Sequence, residues 1–367
     1  MYLFMIKNIV KGITLFLVIF FIFSGIIFGA EPTPPTKPKE IDLSLAVNLA
    51  LTDNLNLKIA NLDLENAQID YEKTKASNLL TSSRYIQLQG DLGLLQAKDN
   101  YTQTRNQVIV DVVQKYLQLN QAKKNIMVTD KKVELEKKLL EEIKAQVQSG
   151  HKGNLDLLQQ ENLYQNAVFN LEKANDDYDQ SFKEFKVELG VVNQGEEELV
   201  LSVIDFPKAW EISEEEALKR AIENSFTLEL SKRQIELNEV DLESAEVAAS
   251  PKLDLQKLKN NVVLANLNYD KTQKELNNSI SKQFYTYKQA INSLDLSKQN
   301  LNQAQENNSI IVEQVNAGLK TKSDLLSAEI NTLQAESDLE STILNYYISK
   351  LTLQQLMGQK IEEGEIK

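Results

Sequence analysis

The stretch GHKGNLDLLQQE at residues 150–161 returns as GLKTKSDLLSAE at 318–329, and the reading of the whole chain follows from that pair. The similarity extends well beyond the two segments. Val112 to Gly190 matches Ile280 to Gly358 at an offset of 168 residues without insertion or deletion. Lys152 falls on Lys320, Asp156 on Asp324, Leu171 on Leu339, Tyr178 on Tyr346 and Gly190 on Gly358. A repeat of this length is a duplicated supersecondary element, not a short solenoid unit.

Heptads identify the element. Val112, Leu119, Ile126, Val133, Leu140 and Val147 are spaced by seven, as are Ile280, Tyr287, Leu294, Leu301, Asn308 and Val315. Such spacing marks a helix lying along another helix. The series stop at Gly150 and Gly318, where a glycine takes the left-handed conformation that closes a helix. New series begin at once: Leu157, Tyr164, Leu171, Tyr178 and Phe185, then Leu325, Thr332, Leu339, Tyr346 and Leu353. Each copy is therefore a helix, a tight turn and a returning helix. The register predicts Leu119, Ile126 and Val133 to be more buried than Lys124, Asp130 and Lys131. Heptads alone fit any antiparallel coiled coil equally well.

A second duplication precedes each hairpin. Ile41 to Ala76 matches Ile212 to Val247 at an offset of 171. Capping signals open both copies, at Asp42 and at Ser213-Glu-Glu-Glu, where the latter fits a capping box. A short helix then runs to Thr52 or Glu223, and a longer one follows over roughly 55–77 and 226–248. The long helix, from about Leu94 to Ser149, would span about 85 Å, the return helix 155–189 about 50 Å and helix 55–77 about 35 Å. Two shorter helices end to end thus match one continuous helix, twice per chain. The division is a signal peptide or anchor (1–30), a Pro-rich spacer (31–40), a first helical-hairpin repeat (41–190), a linker (191–211), a second repeat (212–358) and a tail (359–367).

Composition narrows the function. Residues 1–30 carry Lys7, Lys11 and an apolar run from Ile13 to Phe28, which reads as an export signal or an uncleaved anchor. The formal net charge is -13, which argues against nucleic acid as a partner and against tight docking on anionic headgroups. There is no cysteine, so disulfides, thiolate metal sites and lipid modification at cysteine are excluded. No metal-ligand spacing, nucleophile–base pair or phosphate loop is legible, and no cofactor is expected. His151, the single histidine, reads as a solvated turn residue. Trp210 reads as a packing anchor where the halves join, and Tyr164, Tyr178, Tyr287 and Tyr346 as seam residues.

These features resemble the TolC-type outer-membrane efflux proteins over nearly all of residues 41–358. The resemblance rests on the duplication, on the A-x-x-x-A-L-x-x-N opening at Ala46–Asn54 and its counterpart at Ala217–Asn224, and on the G-x-K-x-x-x-D-L-L-x-x-E pattern of the turns. It implies an all-α protomer of long antiparallel coiled-coil hairpins in two pseudo-repeats. It further implies a homotrimer whose twelve helical columns enclose a periplasmic tunnel, docking an inner-membrane transporter and a periplasmic adaptor through its hairpin tips. Asp156, Lys320 and Asp324 fall on positions matching those that would hold the aperture, with Lys152 a further tip candidate, beside the turn glycines Gly150 and Gly318. The alternative for these residues is a pair of surface ion pairs of small worth.

The chain departs from the family at its other end. The connections there would carry paired strands of a β-barrel, but only about Asn78–Gly93 and Ala249–Lys257 are available. A membrane-crossing strand takes about 9–11 residues. The first connection has room for one short strand near Tyr85-Ile-Gln-Leu-Gln, and Pro251 resembles the proline before a barrel strand with the strand missing. The expectation is an exported, non-enzymatic efflux component of the periplasm and outer membrane without a transmembrane barrel, meeting a membrane through residues 1–30 or the upper loops. A structural helical spacer without a conduit is the alternative. A periplasmic adaptor is disfavoured by the lack of β-rich flanking modules.

Overall fold

A computed structural model describes residues 39–191, 199–202, 206–208 and 210–361. The export signal, nearly all of the Pro-rich spacer and most of the tail lie outside the described residues. The helices belong to one compact body. Two strands of three residues, β1 (Lys39–Ile41) and β2 (Leu199–Leu201), form a two-stranded sheet. The other elements are helices: α1 (Leu43–Asp53), α2 (Leu55–Asn78), α3 (Arg84–Gln148), α4 (Asn154–Glu188), α5 (Glu214–Asn224), α6 (Phe226–Val247), α7 (Lys252–Asn316) and α8 (Lys322–Leu356). The class is all-α, and among the described residues no strand approaches the length needed to cross a bilayer.

Local chemistry sets the boundaries. Asp42 caps α1 by accepting from the Leu45 amide at 2.6 Å, and Ser225 caps α6 by accepting from Leu228 at 3.2 Å. Ser213 caps α5 through the Glu216 amide. The Glu216 side chain pairs with Arg220, so only half of the expected capping box forms.

The long helices α3 and α7 have 65 residues each, about 98 Å. Here the sequence expectation is corrected: α3 begins at Arg84, ten residues before Leu94, and the stretch near Tyr85 is its first turns, not a strand. Gly90 and Gly93 look like breakers but sit inside the helix. At Gly90 the reason is close packing, since a Cβ there would lie 3.3 Å from Thr74 of α2. Likewise Pro251 leads directly into α7, the position in a helix where proline costs no hydrogen bond. The connections shrink to residues 79–83 and 248–251.

Shorter helices stack to match the long ones. Asn54 accepts from the amides of Asn56 and Leu57, which caps α2, and its Nδ2 donates to Glu188 at the end of α4. Gly190 (φ +73°) passes so close to Asp53 that a Cβ would lie 2.7 Å from its backbone. Gly358 (φ +66°) makes the same approach to Asn224, at 2.3 Å. Here glycine is required twice over, by its conformation and by contact. The body is thus a row of four columns: α2 with α4, then α3, then α6 with α8, then α7.

The α3 helix packs on α4 on one side and on α8 on the other. Its buried face is consequently wider than a two-helix heptad predicts. Leu119 is buried, but Ile126 and Val133 are only half-buried, and so are Lys124 and Lys131. Those lysines reach across to α8, where Lys124 pairs with Glu336 and Lys131 with Glu329 at 3.1 Å.

Candidate functional site

The two hairpin turns have one geometry. Gly150 (φ +76°) donates to Val147 and His151 to Gln146; Gly318 (φ +71°) donates to Val315 and Leu319 to Gln314. These paired bonds are the Schellman closure, which satisfies the last carbonyls of α3 and α7. No atom lies within 4 Å of a Cβ built on Gly150 or Gly318, so the left-handed backbone alone demands glycine there. His151 shares a hydrogen bond of 2.8 Å with Ser149 and is exposed.

The aspartates read from the sequence sit in the first turns of α4 and α8. Asp156 accepts from the Gly153 amide at 3.0 Å. Asp324 accepts from the Thr321 amide and hydroxyl at 2.9 Å, while the Thr321 hydroxyl accepts from the Asp324 amide. The second turn therefore closes a full capping box, and the first only half of one, because Gly153 has no side chain. Those Thr321 bonds, aided by Lys320, hold the Asp324 carboxyl below the usual aspartate range. Lys320 lies 3.8 Å from Asp324. Lys152 makes no such pair with Asp156, so the two halves differ at this point. Ser323, which the sequence did not single out, donates to Glu142 of α3 at 3.0 Å and ties the hairpins together near their turns.

Both edges of the row are open. The α4 helix packs chiefly on α3, and α7 chiefly on α5, α6 and α8. Leu55, Ile59, Leu62 and Ile69 of α2, with Leu155 and Phe169 of α4, form an exposed apolar stripe down one edge. Val263, Leu267, Tyr285, Leu296 and Ile310 of α7 form another down the opposite edge. Stripes of this length on a water-soluble surface mark sites of association.

Tyrosine hydroxyls tie the connecting segments to the hairpins. Tyr287 donates to the Trp210 carbonyl at 2.6 Å, Tyr346 donates to Lys208 at 2.8 Å, and the Trp210 amide donates to both hydroxyls. The Trp210 ring meets Tyr287 edge-on at 5.7 Å. Burial raises the Tyr287 hydroxyl far above its ordinary value. In the first half Tyr116 bonds the Ile41 and Ser202 carbonyls. Tyrosine positions in the heptads were legible, but their hydroxyl partners lie far away in sequence and were not.

Among the described residues no His, Cys, Asp and Glu group is placed to hold a metal ion, and no helix is long and apolar enough to cross a membrane.

Comparison with known proteins agrees with this architecture. Residues 252–359, which comprise α7, α8 and the turn between them, match the family described as outer membrane efflux protein. No curated protein matches the sequence. The fold is similar to the outer-membrane channel OprN, with a TM-score of 0.64 at 13% identity, over 86% of this chain and 89% of that one. It is similar to the open state of the Neisseria gonorrhoeae MtrE outer membrane channel, with a TM-score of 0.61 at 12% identity, over 89% and 91%. The Campylobacter jejuni CmeC outer membrane channel gives 0.58 at 17% identity, over 88% and 87%. The second hairpin thus carries the outer membrane efflux protein signature, and the helical body has the TolC-type fold with short turns where barrel strands would begin.

Proposed function

We propose that the protein is a TolC-like efflux component, a protomer of a closed helical tunnel that engages an inner-membrane transporter and its periplasmic adaptor through the hairpin turns. The observation that carries this reading is the open row of four equal columns with an apolar stripe along each outer edge. A single chain has no partner for either stripe. Setting α7 of one copy against α2 and α4 of the next covers both, and repetition of one such heterologous contact closes a ring. Three copies supply the twelve columns of the TolC-type tunnel. The export signal agrees with a periplasmic and outer-membrane location.

Oligomeric state is the direct test. The full chain is expected to sediment as a trimer, and Leu267→Asp with Tyr285→Asp to release monomers of unchanged helicity. A wild-type monomer or dimer would sink the tunnel and leave the structural spacer.

A further inference from the structure

We infer that the end of the protein opposite the hairpin turns is a membrane-surface anchor, in which the two short connections press aliphatic side chains into the headgroup boundary of a lipid bilayer. This goes beyond the efflux reading and does not depend on it. Among the described residues the four most exposed large apolar side chains are Leu80 (94%), Val247 (85%), Leu253 (83%) and Leu79 (77%). All four lie at this end, in or beside the turns 79–83 and 248–251. Leu79, Leu80 and Val247 sit at or past the helix ends, so the lateral stripes that would pair copies do not account for them.

The turns are built to hold those side chains out. Asn78 braces the first: its Nδ2 donates to Ser83 at 2.8 Å, and its Oδ1 accepts from the Ser83 amide and the Thr81 hydroxyl. The amides of Thr81 and Ser82 donate to its carbonyl. In the second turn Ala248, Ala249 and Ser250 all donate to carbonyls of α6, and Pro251 has no amide. Entry into a bilayer boundary strips water from the backbone, so donors already satisfied within the turn reduce that penalty.

Charge favours the same partner. The chain is strongly acidic, yet residues 72–91 carry Lys73, Lys75 and Arg84 against only Glu72 and Asp91. Residues 243–259 contain Lys252, Lys257 and Lys259 balanced by Glu243, Glu246 and Asp254. Asp70 pairs with Lys73, Glu236 with Arg84 and Glu246 with Lys259, which leaves Lys75, Lys252 and Lys257 outside these pairs. Exposed leucines beside lysines that lie outside these ion pairs fit an anionic phospholipid surface. The net acidity of the chain, which argued against headgroup docking, is located elsewhere on the molecule.

Absence of native cysteine permits a site-specific test in the full chain. An environment-sensitive nitrobenzoxadiazole label is placed through L80C, V247C or, as a mid-shaft control, K137C. With phosphatidylethanolamine–phosphatidylglycerol vesicles, emission at the first two sites should rise roughly twofold and be quenched by lipid-borne nitroxide, with no change at the control. Replacing Lys75, Lys252 and Lys257 together by Glu should raise the lipid concentration required by roughly tenfold or more. Water-like emission at both upper sites, in vesicles that demonstrably hold the chain through residues 1–30, would overturn the inference. So would desolvated emission without lipid accompanied by a doubled particle mass, which would assign the surface to a second copy.

Discussion

The Nδ2 of Asn54 lies 3.0 Å from Oε1 of Glu188, a contact that fastens the start of α2 to the end of α4 across 134 residues of sequence. One buried side chain thereby caps a helix and joins two helices into a column. Asn54→Ala removes both functions and should cost about 2 kcal/mol, the upper range for loss of a cap. Asn54→Ser should cost less, because the second repeat shows that Ser225 suffices as a cap at the matching position. Chemical denaturation followed by far-UV circular dichroism measures both. Equal losses would mean that the cap contributes nothing and that the Glu188 bridge carries the whole effect.

Two carboxyls should make stability fall as pH rises. Burial chiefly raises Glu188, with Asp111 adding to it and Lys115 and Asn54 opposing. Burial also raises Glu340 on α8, whose Oε2 has no hydrogen-bond partner. A carboxyl raised on folding binds more protons in the native state than in the unfolded one. Its protonated form is the stabilising one, and that contribution is lost between the unfolded value, about 4.3, and the higher folded value. Glu340→Gln should therefore flatten this decline and raise the midpoint near neutral pH by about a degree or two. Thermal unfolding across a pH series checks it, and a steeper decline in the variant would refute the assignment.

Trp210 is the single tryptophan and reports on the segment it anchors. Tyr346→Phe leaves the Lys208 carbonyl without its donor, at a cost of about 1–3 kcal/mol. Tryptophan emission should shift to the red while helicity stays constant. Unchanged emission would show that ring packing against Tyr287 alone holds the segment.

Much of this architecture was readable because duplication and heptads are local and periodic. Gly150, Gly318 and the capping signals at Asp42 and Ser213 could be read from neighbouring residues. Other features depend on partners brought near only by folding. Lys124 and Lys131 looked like surface charges, because nothing local revealed that α8 would lie against α3. Gly90 fell within the expected connection 78–93, since its close approach to Thr74 is a contact between helices that folding alone brings about. Gly190 and Gly358 were recognised as a matched pair, but their close approach to Asp53 and Asn224 is a tertiary contact. At the turns the residue types were legible, whereas the half-formed first capping box follows from Gly153 standing where the second repeat has Thr321.

The tip aspartates allow capping and gating to be separated. Asparagine keeps an oxygen that accepts from the Gly153 or Thr321 amide but removes the charge; alanine removes both. Asp324 is held low by its Thr321 bonds, so its contribution is present above the unfolded aspartate range and fades as pH falls. If these residues hold an aperture, the Asp156→Asn, Asp324→Asn double variant should raise leak or alter pump engagement severalfold with little change in thermal midpoint, because charges gathered at a constriction act through a focused field. The alanine pair should add a loss of stability to the same functional change. A silent asparagine pair beside a destabilised alanine pair would reduce both aspartates to helix caps. Conductance or efflux, read next to the melting curve of each variant, decides between the two roles.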